Sequence, residues 1–300
     1  MYSGGILTLS DILQLSNEQI SLYSTIHNTL KNTMLDFYTK HSDKSFSLLM
    51  SGGYDSRFVL YLCRDLNIKV HCYTFCIDGY ISTDLRTAEQ VCKNENVELT
   101  VVPIPTNATE LIHTMEILAS DYHCVKKTDF ECVMPLYYLY KSISEDIILM
   151  GTDSDNYFAL GKKYALHFKN LDDGLTKYKA HLWSDPNDGQ IQQKALLDAN
   201  YNKQMFDVFN TKEVFSAFED TTWNELNIPY KKGPLYIPYR SKYDEIKPYR
   251  SSYQCGDSGI RELCRSVLIN SEYNTNNYIS VVGCYNEIVR RCKSNEATLF

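Results

Sequence analysis

The sequence predicts an α/β protein built on a doubly wound parallel sheet. Three observations carry that expectation. Short, continuously apolar runs, Phe46-Ser47-Leu48-Leu49-Met50 and Asp146-Ile147-Ile148-Leu149-Met150, each stop at a glycine-bearing turn. Segments with apolar residues three and four apart alternate with them. Runs apolar on both faces suit strands covered on both sides, as parallel strands are.

The elements follow in order. Residues 8 to about 42 carry Leu9, Ile12, Leu13, Ile20, Tyr23, Ile26, Leu30 and Met34 at helical spacing. The run 46–50 reads as a strand, Ser51-Gly52-Gly53 as its turn, and Phe58, Val59, Leu62 and Cys63 resume a helical period. Lys69 to Phe75 and Val97 to Pro103 are rich in strand formers and flank a polar helix from Thr83 to Asn94. Helices near Glu110–Ser120 and Val133–Ser144 precede the strand that ends at Gly151. Beyond about 165 the strand signal fades. Lys194–Phe209, Thr211–Phe218, Gly259–Asn270 and Tyr278–Cys292 have helical composition, and Ile228–Lys247, rich in proline and tyrosine, reads as irregular. The expected organisation is a helical lead over 1–42, an α/β core over 43–165, and a helical part over 166–300 packed on the core.

Composition narrows the function. The 300 residues carry a net charge of −7, which argues against a protein devoted to polyanions; nucleic acid is a possible partner that nothing in the charge indicates. No apolar run approaches the length that spans a bilayer, and the N-terminus has no basic, apolar leader, so a cytoplasmic protein is expected, without membrane contact. The ten cysteines contain no Cys-x-x-Cys pair, so structural zinc is not expected. Tyrosine is abundant, at 24 copies; A/T-rich codon usage explains that more readily than a base-stacking surface does. The oligomeric state is not legible.

Two loops carry chemistry, because ligands of open parallel sheets bind beyond the carboxyl ends of the strands. The first is Ser51-Gly52-Gly53-Tyr54-Asp55-Ser56-Arg57. Its glycines allow close approach, and backbone N–H groups at a helix N-terminus suit an anion. Ser51 and Ser56 add hydroxyl donors. Asp55 has the wrong charge for a phosphate unless a cation lies between them, and Mg²⁺ with a phosphate resolves that conflict. Arg57 is long enough to reach a phosphate or a substrate carboxylate. The second loop, Gly151-Thr152-Asp153-Ser154-Asp155-Asn156-Tyr157-Phe158-Ala159-Leu160, is acidic and again follows an apolar strand.

Ser51-Gly52-Gly53-Tyr54-Asp55-Ser56 resembles the Ser-Gly-Gly-x-Asp-Ser loop of the PP-loop ATP pyrophosphatase superfamily. The second loop is similar to the Gly-Glu-Gly-Ala-Asp-Glu-Leu-Phe-Gly-Gly segment of the asparagine synthetase branch, with Gly151, Asp155 and Phe158 on matching positions. The resemblance covers roughly residues 20–165 and implies an adenine nucleotide alpha hydrolase-like fold. It further implies ATP cleaved to AMP and pyrophosphate, and a carboxylate or amide oxygen of a small-molecule substrate adenylated for attack by an amine or ammonia. Ser51, Gly52, Gly53, Tyr54, Asp55, Ser56, Arg57 and Gly151 would then bind ATP. Asp55 and Asp155 would hold Mg²⁺ and serve catalysis, and Arg250 (or Lys247) would neutralise pyrophosphate where the family has a lysine. The departures are Thr152, where the family has a glutamate near the attacking nitrogen, and Asn156 for a second acidic residue. The glutamine-hydrolysing domain is also missing ahead of the loop, so ammonia from glutamine is not expected. A nucleobase- or tRNA-modifying pyrophosphatase and a non-catalytic nucleotide-binding module are the competing readings.

Overall fold

The computed structural model describes residues 14–152, 154–171, 173–184, 190–247, 258–277 and 280–297. The chain opens with α1 (Asn17–Lys40), closed at its start by a capping box in which Ser16 Oγ accepts from the Gln19 amide and Gln19 Oε1 accepts from the Ser16 amide. β1 (Phe46–Leu49), α2 (Tyr54–Asp65), β2 (His71–Ile77), α3 (Thr83–Asn94) and β3 (Leu99–Ile104) follow. Next come α4 (Ala108–Ser120), α5 (Lys127–Ser142) and β4 (Ile147–Met150). Each of these four strands falls where an apolar run or a segment rich in strand formers predicts one.

The second half departs from expectation. After α6 (Ser154–Tyr157), α7 (Lys162–His167), α8 (Gly174–Ser184) and α9 (Ile191–Tyr201), the chain forms a fifth strand, β5 (Gln204–Asp207), inside a stretch expected to be helical and outside the expected core of 43–165. Four residues paired along the edge of β4 need no apolar run of their own: Gln204 is exposed and the other three are only partly buried. The segment 228–247, expected to be irregular, winds into α12 (Gly233–Tyr236), a 3-10 turn (Ile237–Tyr239) and α13 (Arg240–Glu245), after α10 (Lys212–Phe218) and α11 (Trp223–Asn227). α14 (Ile260–Ile269) and α15 (Val282–Ala297) complete the described elements.

The five strands are all parallel and lie in the order β3-β2-β1-β4-β5. The expected doubly wound sheet is therefore present. Successive side chains of β4 serve opposite faces: Ile147 and Leu149 enter one core, Ile148 the other. One face is covered by α1, α2 and α3 together with Phe209, Phe218 and Leu235, the other by α4, α5, α14 and α15. Much of the tyrosine excess is spent here. Tyr23, Tyr140, Tyr239 and Tyr243 are buried with their hydroxyls donating to Glu225 O, Asp198 Oδ1, Asp65 Oδ2 and Tyr54 O, so each fills core volume without an unsatisfied polar atom.

Strand order determines where a ligand can sit. From β1 the chain winds outward to β2 and β3, then returns to the opposite side of β1 as β4. The loops leaving β1 and β4 diverge, and the crevice between them is the switch point at which such sheets bind ligands. Both sequence-predicted loops leave from these two strands.

Candidate active site

The loop after β1 is closed on itself by its two serines. The Ser51 amide donates to Ser56 Oγ (3.0 Å), Ser56 Oγ donates to Ser51 O (3.1 Å), and the two hydroxyl oxygens lie 3.0 Å apart. Gly53 is the N-cap of α2 and supplies no side-chain cap, so amides of the first turn are left for an anion. Gly52 must lack a side chain: a Cβ there would lie 2.8 Å from Thr87 Cβ and 2.9 Å from Asp84 Oδ1, on α3. Gly151 is constrained likewise, since a Cβ would stand 3.1 Å from the Asp55 carbonyl oxygen and 3.2 Å from Val59 Cγ2. The second loop thereby lies flat against the start of α2.

Asp55 and Asp155 meet on the ammonium of Lys232. Lys232 Nζ is 2.5 Å from Asp55 Oδ1 and 2.6 Å from Asp155 Oδ1, and donates to Ser154 Oγ at 3.1 Å. Ser154 Oγ donates in turn to Asp55 Oδ1 at 2.6 Å. The Lys232 side chain is 2% exposed, that of Asp55 22% and that of Asp155 59%. Burial alone would depress the Lys232 pKa, but the two carboxylates outweigh it and hold the ammonium above its ordinary value. Burial also works against the Asp155 anion, and there the pull of Lys232 prevails, so its carboxyl titrates low. Asp55 goes the other way: burial, reinforced by the Asp155 charge, pushes it up against the attraction of Lys232. Lys231 adds a weaker pull on Asp155, so it is Asp55, whose charge burial disfavours, that a further cation would relieve.

Lys232 is positioned by a turn rather than a helix. It sits at φ 53°, with its amide donating to Asn227 Oδ1 (3.3 Å), while Asn227 Nδ2 donates to the carbonyls of Phe158 (3.2 Å) and Trp223 (3.1 Å). Asn227 thus ties the turn to the second loop. Sequence reasoning missed Lys232 and looked instead to Arg250 or Lys247. Arg250 lies outside the described residues, as does Asp153, and Lys247 is exposed after α13. The signal that could have found it is Lys232-Gly233-Pro234, in which glycine is obligatory because a Cβ at Gly233 would collide with the Tyr23 ring.

One expected nucleotide contact is corrected. Arg57 is fully buried and turned away from the loop: Nη1 donates to Ile246 O (2.7 Å), Nη2 to Lys242 O (3.1 Å), and Nε to Tyr61 Oη (3.2 Å), with the guanidinium carbon 4.8 Å from the Tyr243 ring centre. It fastens α13 to α2. A long cation one residue past the loop is carried by the helical turn to the back of α2, where carbonyls at the end of α13 need donors. The Tyr54 ring also leaves the loop, packing 5.0 Å from Tyr243 and 6.4 Å from Tyr236, so only its backbone faces the crevice. At the far side of the second loop, Thr152 Oγ1 donates to Asp207 Oδ2 on β5 at 3.1 Å.

The donor set is all oxygen, from two carboxylates, and fits a hard cation such as Mg²⁺, which takes one or two carboxylates and fills its shell with water and phosphate. Among the described residues no three His, Cys, Asp or Glu side chains group to cage a metal. No described helix is long and apolar enough to cross a membrane.

By sequence, residues 39–244 match the family model described as asparagine synthase, a span that contains both loops and Lys232. No curated protein matches the chain. Three solved structures resemble it distantly. The U34-tRNA thiolase NcsA from Methanococcus maripaludis, with its 4Fe-4S cluster, is 14% identical over 92% of this chain and 80% of that one, at a TM-score of 0.39. The NH3-dependent NAD synthetase from Campylobacter jejuni is 15% identical over 71% and 98%, at 0.33. The NMN synthetase from Francisella tularensis is 12% identical over 78% and 98%, at 0.32. Likenesses this remote leave the family match to place the chain.

Proposed function

Because the chain belongs to the asparagine synthase family, and so to the ATP-utilising PP-loop enzymes, we propose that it is an AMP-forming carbon–nitrogen ligase. In this reading it cleaves ATP between the α and β phosphates, adenylates a carboxylate or amide oxygen of a small molecule, and passes the activated group to an amine or ammonia. One observation carries it: Asp55, Asp155 and Lys232, from segments far apart in sequence, converge at the switch point of the sheet. Amides at the start of α2 receive pyrophosphate oxygens. Asp55 and Asp155 would hold Mg²⁺, which supplies charge neutralisation and alignment of the phosphates. Lys232, whose ammonium stands at the same point, would neutralise charge on the phosphate that leaves.

The test is release of pyrophosphate and AMP from Mg·ATP with pools of amino acids, nucleosides and nucleic acids. Release stimulated by a small carboxylate together with an amine supports the ligase. Release that requires polynucleotide or a nucleobase overturns it, as does tight ATP binding without turnover. Asp55→Asn should lower release by about a hundredfold or more, the scale on which one preorganised electrostatic group contributes.

A further inference from the structure

We propose that residues 14–23, which lie ahead of the span matched by the family, are the positioning element of Lys232, with Tyr23 as its central residue. The neighbours of Lys232 in the chain cannot hold it alone. It stands between α11, five residues long, and α12, four residues long, and helices that short do not persist unless something packs on them. Its backbone is itself unfavoured, because φ 53° and ψ 45° lie in the left-handed region, which a residue with a Cβ keeps only where its surroundings dictate it. Asn227 supplies one tie from within the same stretch. The others come from the start of the chain.

Three hydrogen bonds between described residues join the two segments, and all of them meet the stretch just before Lys232. Tyr23 Oη donates to Glu225 O at 2.8 Å, Gln19 Nε2 donates to Ile228 O at 2.7 Å, and Tyr230 Oη donates to Gln14 Oε1 at 2.6 Å. The residue just after Lys232 is held by contact. The Tyr23 ring lies where a side chain at 233 would be, so the turn reaches its place only because Gly233 has none. Leu15, Tyr23 and Ile237 form a small core apart from the two that line the sheet, with Ile20, Tyr230 and Tyr236 packed against it. Tyr23 is 3% exposed, and burial together with the Glu225 charge pushes its hydroxyl up to about 12, so it remains a donor across the neutral range. The anchor is firm: α1 runs for 24 residues from its capping box, and Ile26, Leu30 and Met34 sink its later turns into the main core. The Lys232 ammonium is therefore placed by a helix fixed to the sheet, and what moves Tyr23 moves Lys232.

The experiment reads Lys232 directly, as the rate at which acetic anhydride acetylates each lysine of the full chain, followed by mass spectrometry. Tyr23→Phe keeps the ring against Gly233 and removes the bond to Glu225 O; it should raise the Lys232 rate about three- to tenfold, the equivalent of one ordinary hydrogen bond. Tyr23→Leu removes both and should raise it more than about tenfold on the same scale. Lys179 is the control for general loosening: it is as deeply buried, its ammonium held by Phe218 O, Thr221 O and Thr221 Oγ1, and its rate should stay within about twofold, less than one such bond. Gly233→Ala should also free Lys232. In Tyr23→Leu/Gly233→Ala the new methyl enters the space the ring has left, so the combined effect should fall short of the product of the two single effects. If Tyr23→Leu does not fold, Gln19→Glu serves, since it keeps the acceptor of the capping box and removes the donor to Ile228 O; about three- to tenfold is expected again. Unchanged Lys232 acetylation in the folded variants, or an equal rise at Lys179, would overturn the proposal. The consequence for turnover rests on the ligase reading above. ATP–pyrophosphate exchange, driven by whichever carboxylate supports it, should lose about tenfold in kcat in Tyr23→Leu while the KM for ATP stays within about threefold, the mark of a group that acts in the transition state. A freed Lys232 with exchange unchanged would uphold the positioning and strike instead the role given to Lys232 in that reading.

Discussion

Replacing Lys232 by methionine removes the ammonium and keeps most of the side chain's volume. Asp55 Oδ1 and Asp155 Oδ1 then share a site with nothing between them, where each had a cation at 2.5 and 2.6 Å. Breaking a buried ion pair from one side costs about 3–5 kcal/mol, because the stranded charge is worse than the lost attraction. Asp155 is more than half exposed and water screens it, so the lower end, about 3 kcal/mol, is expected. In Lys232→Met/Asp55→Asn the more buried of the two stranded charges is gone, and Asp155, more than half exposed, is left to water. That double variant should return to within about 1 kcal/mol of wild type, since an apolar replacement for a buried pair is close to neutral. Mg²⁺ at millimolar concentration should stabilise Lys232→Met more than wild type, by linkage to a site the lysine no longer occupies. Urea unfolding of wild type, Lys232→Met, Asp55→Asn and the double variant, with and without Mg²⁺, measures all of this. Wild-type stability in Lys232→Met, or additive losses in the double variant, would refute the claim that one ammonium holds the two carboxylates together.

Two further outcomes are expected. Arg57→Met should lower stability by about 2–4 kcal/mol, because the Ile246 and Lys242 carbonyls lose their donors, while the KM for ATP stays within about twofold; a large rise in KM with unchanged stability would restore Arg57 to the nucleotide site. His27 is held neutral: burial against Phe58 and Tyr239 brings its pKa from 6.5 to about 4, with Asp65 opposing and Lys31 assisting. The unfolded imidazole binds a proton first, so this contribution to stability is complete above pH 6.5 and is lost as the pH falls towards 4, by at most roughly 3 kcal/mol at about 1.4 kcal/mol per pH unit. Wild type should therefore lose stability relative to His27→Phe as the pH falls through that window; parallel curves would show that His27 protonates freely in the folded state.

The legible part of the site is the part made by contiguous residues. Ser51 to Ser56 form one strand-to-helix turn, and the serine-to-serine hydrogen bonds that close it span five positions. Asp155 follows β4 by the same logic. Arg57 was legible as the end of the loop and misread in direction, because the turn of α2 that carries it out of the crevice is satisfied by carbonyls at 242 and 246. Lys232 was missed and Asp207 was illegible: apart from the glycine and proline that follow it, Lys232 looks like Lys231 in sequence, and only one of the two is buried.

Apolar runs, helical periods and two glycine turns by themselves determined the order of the first four strands and the acidic and glycine residues at their carboxyl ends. Those are local consequences of backbone sterics and side-chain pattern. Tertiary structure alone decided that Lys232 lies between Asp55 and Asp155, that β5 joins the sheet edge, and that Asp207 meets Thr152 there. A charge or a short edge strand acquires its place from partners 50 to 180 positions away, and no local pattern records which of several similar residues is the one desolvated.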